Sequence, residues 1–286
     1  MPELPEVETT TRGLRKTIVG LTIAAVWTDL NTTDKRKRDT IADPKYFPLF
    51  KKEIVGEKVL SVERRGKNIL ISLSRGKTIL IHMKMTGHLL YGNYKKDAVS
   101  RFIHFTATFS NGEKLYFSDM RKFGKITLLD TQTRNESKHL KDLGPEPLLA
   151  SFTLKTLQER LNKKPQGKIM TVLMDQSVLA GIGNIYSDEV LWWVGIHPER
   201  KVSNVTQSEM AVTFKAIKEI LVKGIDFGGD SMSDYRNIHG LSGKFQLHHN
   251  AYKRTGENCR KKGCIGKIIR KIINGRSGHY CNIHQK

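Results

Sequence analysis

Hydrophobic positions near the start of the chain recur with the period of an α-helix. Val7, Leu14 and Ile18 lie close to multiples of that period. Two prolines and several acidic residues at the start of the segment suit the first turn of a helix and the positive end of its dipole. The pattern predicts a first helix that extends to about Val19.

Between this helix and about residue 130 the pattern becomes that of β-strands. Short runs of β-branched, aliphatic and aromatic residues alternate with turn signals. Strands are predicted over residues 58–64, 68–73, 78–83, 101–110, 114–119 and 125–130. Asn111 and Gly112 lie between two of these strands and favour a tight hairpin, because both residues tolerate a positive φ. This half therefore predicts a β-sandwich or a related barrel.

The pattern becomes helical after a stiff segment, 143–147, which contains two prolines and a glycine. Helices are predicted over residues 153–162, 169–174, 184–194 and 208–223, and Thr206 with Glu209 forms a capping-box pattern before the last of them. Residues 224–249 are rich in Gly, Asp, Ser and His and predict a long, partly mobile loop. We expect an α+β multidomain protein, with domains over residues 1–140, 150–245 and 250–286.

The charge of the chain indicates a polyanionic partner. Its 286 residues include 49 Lys plus Arg against 28 Asp plus Glu, a formal net charge of +21. Nucleic acid is the leading candidate. An anionic membrane surface is the competing one, but the basic residues are spread over turns, strands and the tail rather than along one amphipathic helix. With no run of about 18 apolar residues and no secretory leader, we expect a protein that neither spans a membrane nor is secreted.

The three cysteines form a metal-binding pattern near the end of the chain. The spacing is Cys259-x4-Cys264-x16-Cys281-x2-His284. Three thiolates and one imidazole complete a tetrahedral Zn²⁺ shell, and two close pairs separated by a hairpin-length interval are typical of a small zinc ribbon. The alternatives are a disordered basic tail with incidental cysteines, or His279 as a ligand. From residue 258 onward there are eight Lys or Arg and no Asp or Glu, so a zinc hairpin here would present cations toward phosphates.

The first residues carry candidate chemistry. The initiator methionine is normally removed before a small residue, so the mature protein is expected to begin with the secondary amine of Pro2. An α-amino group has an ordinary pKa near ~8, so a fraction is unprotonated at neutral pH and can attack an electrophilic carbon to form an imine. Glu3 and Glu6 lie beside it as candidate proton carriers. The alternative is that these residues simply open the first helix.

Further motifs suit contacts with nucleic acid. The glycines before Asn184 lie at the start of a predicted helix, where backbone N–H groups bind phosphate, and Asn184 either caps that helix or contacts the phosphate itself. In the turn after residue 119, Phe123 can insert between bases while Arg121 pairs with a base edge or a phosphate. Each motif also has an ordinary explanation, which is a glycine turn for the first and a buried Phe at a strand end for the second.

Taken together, these features resemble one family. The opening Pro2-Glu3-Leu4-Pro5-Glu6-Val7-Glu8-Thr9, then Arg64-Arg65-Gly66-Lys67, Gly181-Ile182-Gly183-Asn184-Ile185-Tyr186 and the cysteine tail are similar, in the same order, to formamidopyrimidine-DNA glycosylase. The resemblance implies an N-terminal β-sandwich with an N-terminal helix, a helical helix-two-turn-helix domain and a C-terminal hairpin that binds one structural zinc ion. It also implies a monomeric glycosylase and abasic-site lyase that excises oxidised purines (formamidopyrimidines and 8-oxoguanine) from double-stranded DNA. If the source is a bacterium, the expected location is the cytoplasm, at the nucleoid.

The resemblance assigns roles to residues of this chain. Pro2 would attack C1′ of the damaged nucleoside, Glu3 would carry protons near the sugar, and Lys67 and Arg276 would be the acids of β- and δ-elimination. The charge of Lys67 can also hold a phosphate beside the sugar. We interpret Arg276 mainly as a phosphate clamp, because a guanidinium releases its proton poorly. The DNA-binding residues implied are Met85, His104, Arg121, Phe123, Lys168 and Asn184.

Among these, Met85, Arg121 and Phe123 correspond to side chains that fill the gap left by the extruded nucleotide and so offset part of the cost of extrusion. Met85 has an alternative explanation as a core filler. Asn184 corresponds to a phosphate contact.

The chain departs from the family pattern in three places. The first cysteine gap is four residues long and His284 replaces the last cysteine. Met170 stands where the family commonly has a lysine, which puts one DNA or base contact in doubt, although Lys168 lies nearby. Phe102 occupies one of two positions that are usually histidines, while His104 is retained.

Two other functions stay open at the level of the sequence. Leu4 favours the oxidised-purine branch over the related endonuclease VIII branch, which typically has glycine there and prefers oxidised pyrimidines. A non-catalytic zinc protein that recognises damaged DNA would bind duplex with a steep salt dependence but never cut it.

Overall fold

The computed structural model describes residues 1–94, 97–232 and 234–286, and they form two compact units. The first unit comprises Met1–Lys141 and Gly228–Lys244, and the second comprises Asp142–Phe227 and Phe245–Lys286. Most of the segment after the last long helix, which the sequence pattern grouped with the helical domain, therefore belongs to the N-terminal unit. The boundary near residue 142 lies beside the stiff segment that begins at residue 143.

The first unit is built from two antiparallel four-stranded sheets and two helices. Its elements are α1 (Leu4–Thr17), β1 (Ile23–Thr28), α2 (Phe47–Ile54), β2 (Val59–Arg65), β3 (Asn68–Leu73), β4 (Lys77–His82), β5 (Gly87–Tyr91), β6 (Ile103–Phe109), β7 (Lys114–Asp119) and β8 (Lys125–Asp130). The strand orders are β1-β6-β7-β5 and β2-β3-β4-β8. One apolar core is shared by both sheets, with Ile69 and Ile71 of one and Phe105 and Leu115 of the other in the same buried cluster. The predicted β-sandwich is confirmed.

Several boundaries in this unit differ from the sequence pattern. Helix α1 ends at Thr17 rather than near Val19. Strands β1 and β5 and helix α2 were not predicted. Strand β5 begins with a glycine and has no β-branched residue, and α2 is only eight residues long with a proline in its first turn. Such short segments depend on the surrounding core more than on their own propensity.

The second unit contains four helices and a two-stranded hairpin. Its elements are α3 (Leu154–Leu161), α4 (Ile169–Leu173), α5 (Asn184–Val194), α6 (Gln207–Asp226), β9 (Ile268–Ile273) and β10 (Arg276–Cys281). The predicted capping box is confirmed, since Thr206 and Glu209 each accept a hydrogen bond from the other's backbone N–H. Helix α6 reaches Asp226, so the loop that follows starts later than the pattern indicated. Ser233 in that loop lies outside the described residues.

The hairpin turn between β9 and β10 depends on two residues with positive φ, Asn274 at 47° and Gly275 at 76°. This conformation suits an Asn-Gly pair and gives a tight turn. Helix α5 packs against β10 within the same unit. None of the helices in the described part of the chain is both long and apolar enough to cross a bilayer.

Candidate active site and metal centre

The first residues of the chain are fixed by a buried network at the start of α1. Glu3 is the N-cap of α1 and forms a capping box with Glu6, whose Oε2 accepts a hydrogen bond from the Glu3 N–H at 2.7 Å. The other oxygen of Glu6 accepts one from the N–H of Asp230 at 2.8 Å. Pro2, Glu3 and Glu6 are all buried. A carboxylate shared by two buried N–H groups ties the candidate nucleophile to the segment 228–244.

That segment approaches α1 closely. Gly229 has φ +88°, and a Cβ atom at this position would lie 2.9 Å from Cγ of Glu6. The hydroxyl of Tyr235 donates to the backbone carbonyl of Glu6 at 2.9 Å. Only glycine combines this φ with so close an approach. The network therefore requires both the α1 N-terminus and this distant part of the sequence.

Lys67 lies in the turn between β2 and β3 and is buried. Arg64 donates from Nη1 to the carbonyl of Gly66 at 3.1 Å and from Nε to Glu8 on α1 at 2.9 Å. Burial would raise the pKa of the Glu8 carboxyl, but its pairs with Arg64 and Arg12 hold that pKa below its ordinary value. This ion pair fastens the turn that carries Lys67 to the helix that carries Glu3.

A histidine that the sequence did not suggest lies near Lys67. His82, the last residue of β4, is paired in register with Asn68, and its Nδ1 accepts the N–H of Lys84 at 3.0 Å. Burial, together with the charges of Lys84 and Lys67, lowers the pKa of His82 to about 3. The ring is neutral at physiological pH, so it adds no positive charge beside Lys67.

The turn after β7 holds Arg121 and Phe123 through one buried carboxylate. Asp119 accepts hydrogen bonds from the N–H of Gly124 at 2.6 Å and from the N–H of Arg121 at 3.3 Å, and also from the hydroxyl of Thr86. Thr86 follows Met85 directly, so the same carboxylate connects the two turns that carry the three candidate gap-filling residues.

The two apolar side chains among the three are exposed to solvent. Met85 is 42% exposed and Phe123 47% exposed. The guanidinium carbon of Arg121 lies 4.5 Å from the centroid of the Phe123 ring, a cation–π distance. Exposure of Met85 does not fit its alternative explanation as a core filler.

A basic groove lies beside this turn. It has a volume of about 770 Å³, and Lys37, Lys84 and Lys125 line it together with Arg121 and Phe123. Lys37 donates to the backbone carbonyls of Lys122 and Gly124, both at 3.0 Å, and these two hydrogen bonds stabilise the turn. Neither Lys37 nor Asp119 was suggested by the sequence, because each acts through contacts distant along the chain.

Two other candidate DNA-binding residues have partners within the protein. His104 is buried, and its Nδ1 lies 2.9 Å from Asp29. Lys168, at the N-cap of α4, pairs with Glu199 at 2.7 Å. Hydrogen bonds from Lys168 and Lys271 lower the pKa of Glu199 to about 2. The charge of Lys168 is therefore partly neutralised where it lies.

Asn184 and Arg276 are brought near each other in the second unit. The Asn184 amide donates to the carbonyl of Ser277 at 2.7 Å, and Ser277 follows Arg276 at the start of β10. Arg276 is exposed immediately after the Asn-Gly turn. Met170 is fully buried, and its sulfur lies 2.9 Å from where a Cβ atom of Gly278 would be, so this residue packs against the hairpin.

The four candidate metal ligands converge at the base of the hairpin. The ligand atoms of Cys259, Cys264, Cys281 and His284 all lie within 4.8 Å of one another. The sulfurs of Cys264 and Cys281 are 3.6 Å apart, and Nδ1 of His284 is 3.2 Å from the sulfur of Cys259. Neighbouring sulfurs of a tetrahedral zinc site, with Zn–S bonds of about 2.3 Å, are about 3.8 Å apart. The donor set and its spacing fit a structural Zn²⁺.

The thiols differ in their surroundings. A hydrogen bond from the Gly266 N–H lowers the pKa of Cys264, whereas burial raises the pKa of Cys281 to about 11. A buried thiol of this kind loses its proton readily only beside a cation. The cluster is thus better suited to hold a metal ion than to act as a nucleophile.

The candidate residues are divided between the two units. Pro2, Glu3, Lys67, Met85, His104, Arg121 and Phe123 lie in the first; Lys168, Asn184, Arg276 and the four metal ligands lie in the second. The first unit thus contains Pro2 and the three candidate gap-filling residues, and the second contains Arg276 and the candidate metal centre.

Comparisons of the sequence with known proteins point to one family. Residues 1–126 match the model of the formamidopyrimidine-DNA glycosylase N-terminal domain, and residues 143–236 match that of the formamidopyrimidine-DNA glycosylase H2TH domain. The chain is 39% identical over 286 residues to the formamidopyrimidine-DNA glycosylase of Pelotomaculum thermopropionicum, with 100% of this chain and 99% of the relative covered. It is 41% identical to that of Herpetosiphon aurantiacus, with both chains covered completely.

Solved structures show the same fold. The Lactococcus lactis Fpg in complex with DNA containing an abasic site has a TM-score of 0.87 and 33% identity, with 99% of each chain covered. The wild-type Lactococcus lactis Fpg (MutM) in complex with DNA containing N7-benzyl-Fapy-dG has a TM-score of 0.87 and 34% identity, with 100% of each chain covered. By sequence and by fold, the chain belongs to the formamidopyrimidine-DNA glycosylase family.

Proposed function

We propose that this protein excises oxidised purines from duplex DNA and then cuts the strand at the resulting abasic site. The observation that carries the proposal is the buried Pro2-Glu3 start of α1, held by Glu6, in a chain that matches the family along its whole length. Complexes of the Lactococcus lactis relative with lesion-containing and abasic DNA support the substrate class. A net charge of +21 suits a polyanionic partner. The proposed site of action of the protein is accordingly the chromosomal DNA of the cell.

The first step is base release by the amine of Pro2 once Met1 has been removed. The nitrogen lone pair forms a bond to C1′ of the damaged nucleoside while the bond from C1′ to the base breaks, and the base leaves with the electron pair and takes up a proton. The Pro2 nitrogen loses its proton, the bond from C1′ to the ring oxygen breaks while that oxygen takes up a proton, and the lone pair forms a C=N⁺ bond, which gives an iminium ion between Pro2 and deoxyribose. The positive end of the α1 dipole favours the neutral, nucleophilic form of this amine. Glu3, at the N-cap, is placed to carry protons to and from the sugar.

The second step is strand cleavage. The iminium ion withdraws electrons from C2′, so a proton leaves this carbon and the 3′ phosphate is expelled. A second elimination removes a proton from C4′ and expels the 5′ phosphate. Lys67 holds a phosphate beside the sugar and assists the first elimination. Arg276 clamps a phosphate during the second, and Asn184, beside it in the second unit, binds the backbone.

Extrusion of the damaged nucleotide leaves a gap in the duplex that must be filled. Met85 and Phe123 are exposed apolar side chains, and Arg121 is stacked on Phe123. Their insertion offsets part of the few kcal/mol that unstacking and unpairing cost. Because Asp119 fixes both turns, the three side chains enter the duplex without further ordering.

A zinc ion bound by Cys259, Cys264, Cys281 and His284 would supply the fixed geometry of the hairpin. The ligands are at the base of the hairpin, and Arg276 is at its tip beside the Asn-Gly turn. The role of this centre is structural, since all four protein donors are taken up in binding.

Borohydride reduction tests the nucleophile directly. Protein with a free Pro2 terminus, incubated with an 8-oxoguanine duplex and borohydride, is expected to yield a covalent adduct at Pro2. Protein that retains Met1 is expected to bind the duplex but form no adduct and make no cut. Cleavage at full rate by the blocked protein would refute the assignment of Pro2.

Substrate class and the role of Glu3 are tested in the same assay. A panel of oxidised purines and oxidised pyrimidines is expected to show faster excision of the purines, and the reverse order indicates a pyrimidine-directed enzyme. Glu3→Gln keeps an acceptor at the N-cap but loses the titratable group, and base release is expected to slow by about 10²–10⁴-fold. An unchanged rate with this variant contradicts a proton-carrying role.

A further inference from the structure

One face of helix α5 follows the hairpin from its tip to the metal ligands. Asn184, Asp188 and Trp192 are spaced four residues apart and so lie on the same face of the helix. Asn184 contacts Ser277, and Asp188 accepts hydrogen bonds from the His279 N–H at 3.0 Å and lies 2.8 Å from its Nδ1. Trp192 reaches the base of the hairpin, where the four ligands meet.

Trp192 contacts two of the four ligands with different groups. Its indole Nε1–H donates to the sulfur of Cys259 at 3.3 Å. Its backbone carbonyl oxygen lies 2.9 Å from Nε2 of His284. The side chain is buried, and its ring meets the His284 ring edge-on with centroids 5.5 Å apart. Trp192 thus contacts the first and the last of the four candidate ligands along the chain.

These contacts determine which nitrogen of His284 is available to bind a metal ion. A carbonyl oxygen only accepts hydrogen bonds, so Nε2 must carry the proton. In a neutral imidazole, Nδ1 then has the free lone pair. Nδ1 is also the atom that faces the sulfur of Cys259 at 3.2 Å.

We propose that Trp192 is a positioning residue of the metal centre, whose carbonyl selects His284 Nδ1 as the ligand atom and whose indole N–H stabilises the Cys259 thiolate. This inference rests on the proposed zinc centre and adds to it a specific link with α5. A hydrogen bond to a metal-bound thiolate offsets part of its charge, and partners of this kind typically change metal affinity by about 10–100-fold. Trp192 thus contacts Cys259, which precedes the four-residue gap, and His284, which replaces the family's last cysteine.

The neighbouring tryptophan provides a matched control. Trp193 is 44% exposed, and its backbone carbonyl accepts a hydrogen bond from Lys261 at 3.2 Å. Replacing either tryptophan with phenylalanine removes one indole N–H and leaves the backbone unchanged. W192F should therefore affect the metal centre, whereas W193F should not.

The test uses the full-length, zinc-loaded protein. Competition with a chromophoric chelator measures zinc affinity for wild type, W192F and W193F, and long-range ¹H–¹⁵N correlation spectra of histidine-labelled protein report the His284 tautomer. We expect W192F to lose about tenfold or more in zinc affinity and W193F to match wild type. The spectrum is expected to show His284 protonated at Nε2 and metal-bound at Nδ1, in W192F as well, because the carbonyl is part of the backbone.

The outcomes separate the two proposals. If the wild type binds no zinc, the proposed metal centre fails and this inference with it. If zinc binds but W192F and W193F have equal affinities, or His284 binds through Nε2, the metal centre stands and the role of Trp192 is wrong. The wild-type spectrum decides the tautomer even if W192F does not fold.

Discussion

The start of α1 and the C-terminal hairpin both present candidate functional residues, but different forces hold them in place. At α1, Glu6 binds two buried backbone N–H groups, and the apolar core of two sheets lies in the same unit. In the hairpin, the two end residues of β9 and the last four residues of β10 are buried, and α5 packs against β10. A two-stranded hairpin is marginal in water by itself, so we expect the four candidate metal donors to add to this small core. The start of α1 is thus expected to depend on its own chain alone, and the hairpin to depend in addition on a bound ion.

Metal removal is expected to have the largest effect and to separate the two regions most clearly. Structural Zn²⁺ contributes about 10–16 kcal/mol of apparent binding free energy in small fingers, so stripping it with a chelator should unfold the hairpin and leave the sheets of the first unit intact. Amide hydrogen exchange is the measurement, with β9 and β10 compared against β3 and β6. Equal protection of the hairpin with and without metal would show that it is stable by itself.

Removal of the shared carboxylate in the first unit should have an intermediate effect. Glu6→Ala leaves the buried N–H groups of Glu3 and Asp230 without this acceptor, and each such loss costs about 1–3 kcal/mol. We expect a decrease of about 2–4 kcal/mol in the free energy of unfolding, measured in urea, and slower base excision because Glu3 is no longer fixed.

The control for this variant is Glu53→Ala, which removes an exposed carboxylate from α2 and should change stability by less than about 0.5 kcal/mol. If the two variants are equally stable, the Glu6 network does not hold the start of α1.

Acidification should have the smallest effect, and in the first unit we expect it to act through His82. The pKa of His82 is about 3 in the folded protein against 6.5 for the unperturbed group. The unfolded state therefore binds more protons between these values, and stability is complete above pH 6.5 and is lost as pH falls toward 3. These two pKa values correspond to a loss of about 2 kcal/mol by pH 5.

His82→Asn should flatten this part of the pH profile, as followed by urea unfolding at pH 7, 6 and 5. The second unit is expected to respond over a similar range, because burial lowers the pKa of His279 to about 4, and again at lower pH, where Glu199 takes up its proton between its unfolded pKa of 4.5 and its folded pKa of about 2. A variant that keeps the wild-type pH profile would exclude His82 as the titrating group.

Local patterns predicted a large part of the fold. The alternating strands, the Asn-Gly turn at 111–112, the helix at 184–194 and the Thr206 capping box each depend on residues a few positions apart, and the structure contains all of them. The cysteine spacing likewise predicted the metal cluster. Strands β1 and β5 were missed because their stability comes from cross-strand neighbours rather than from their own composition.

The sequence by itself determined the family, the order of most of the elements and the identity of the four candidate metal donors, since each depends on residues that are close together along the chain. Only the tertiary structure decided how these parts are supported. It placed residues 228–244 against α1, bonded Asp119 to both turns that carry the candidate gap-filling residues, and bonded Trp192 to two candidate metal ligands. These contacts join residues that are far apart along the chain, and no local period or spacing records a hydrogen bond that exists only after the chain has folded.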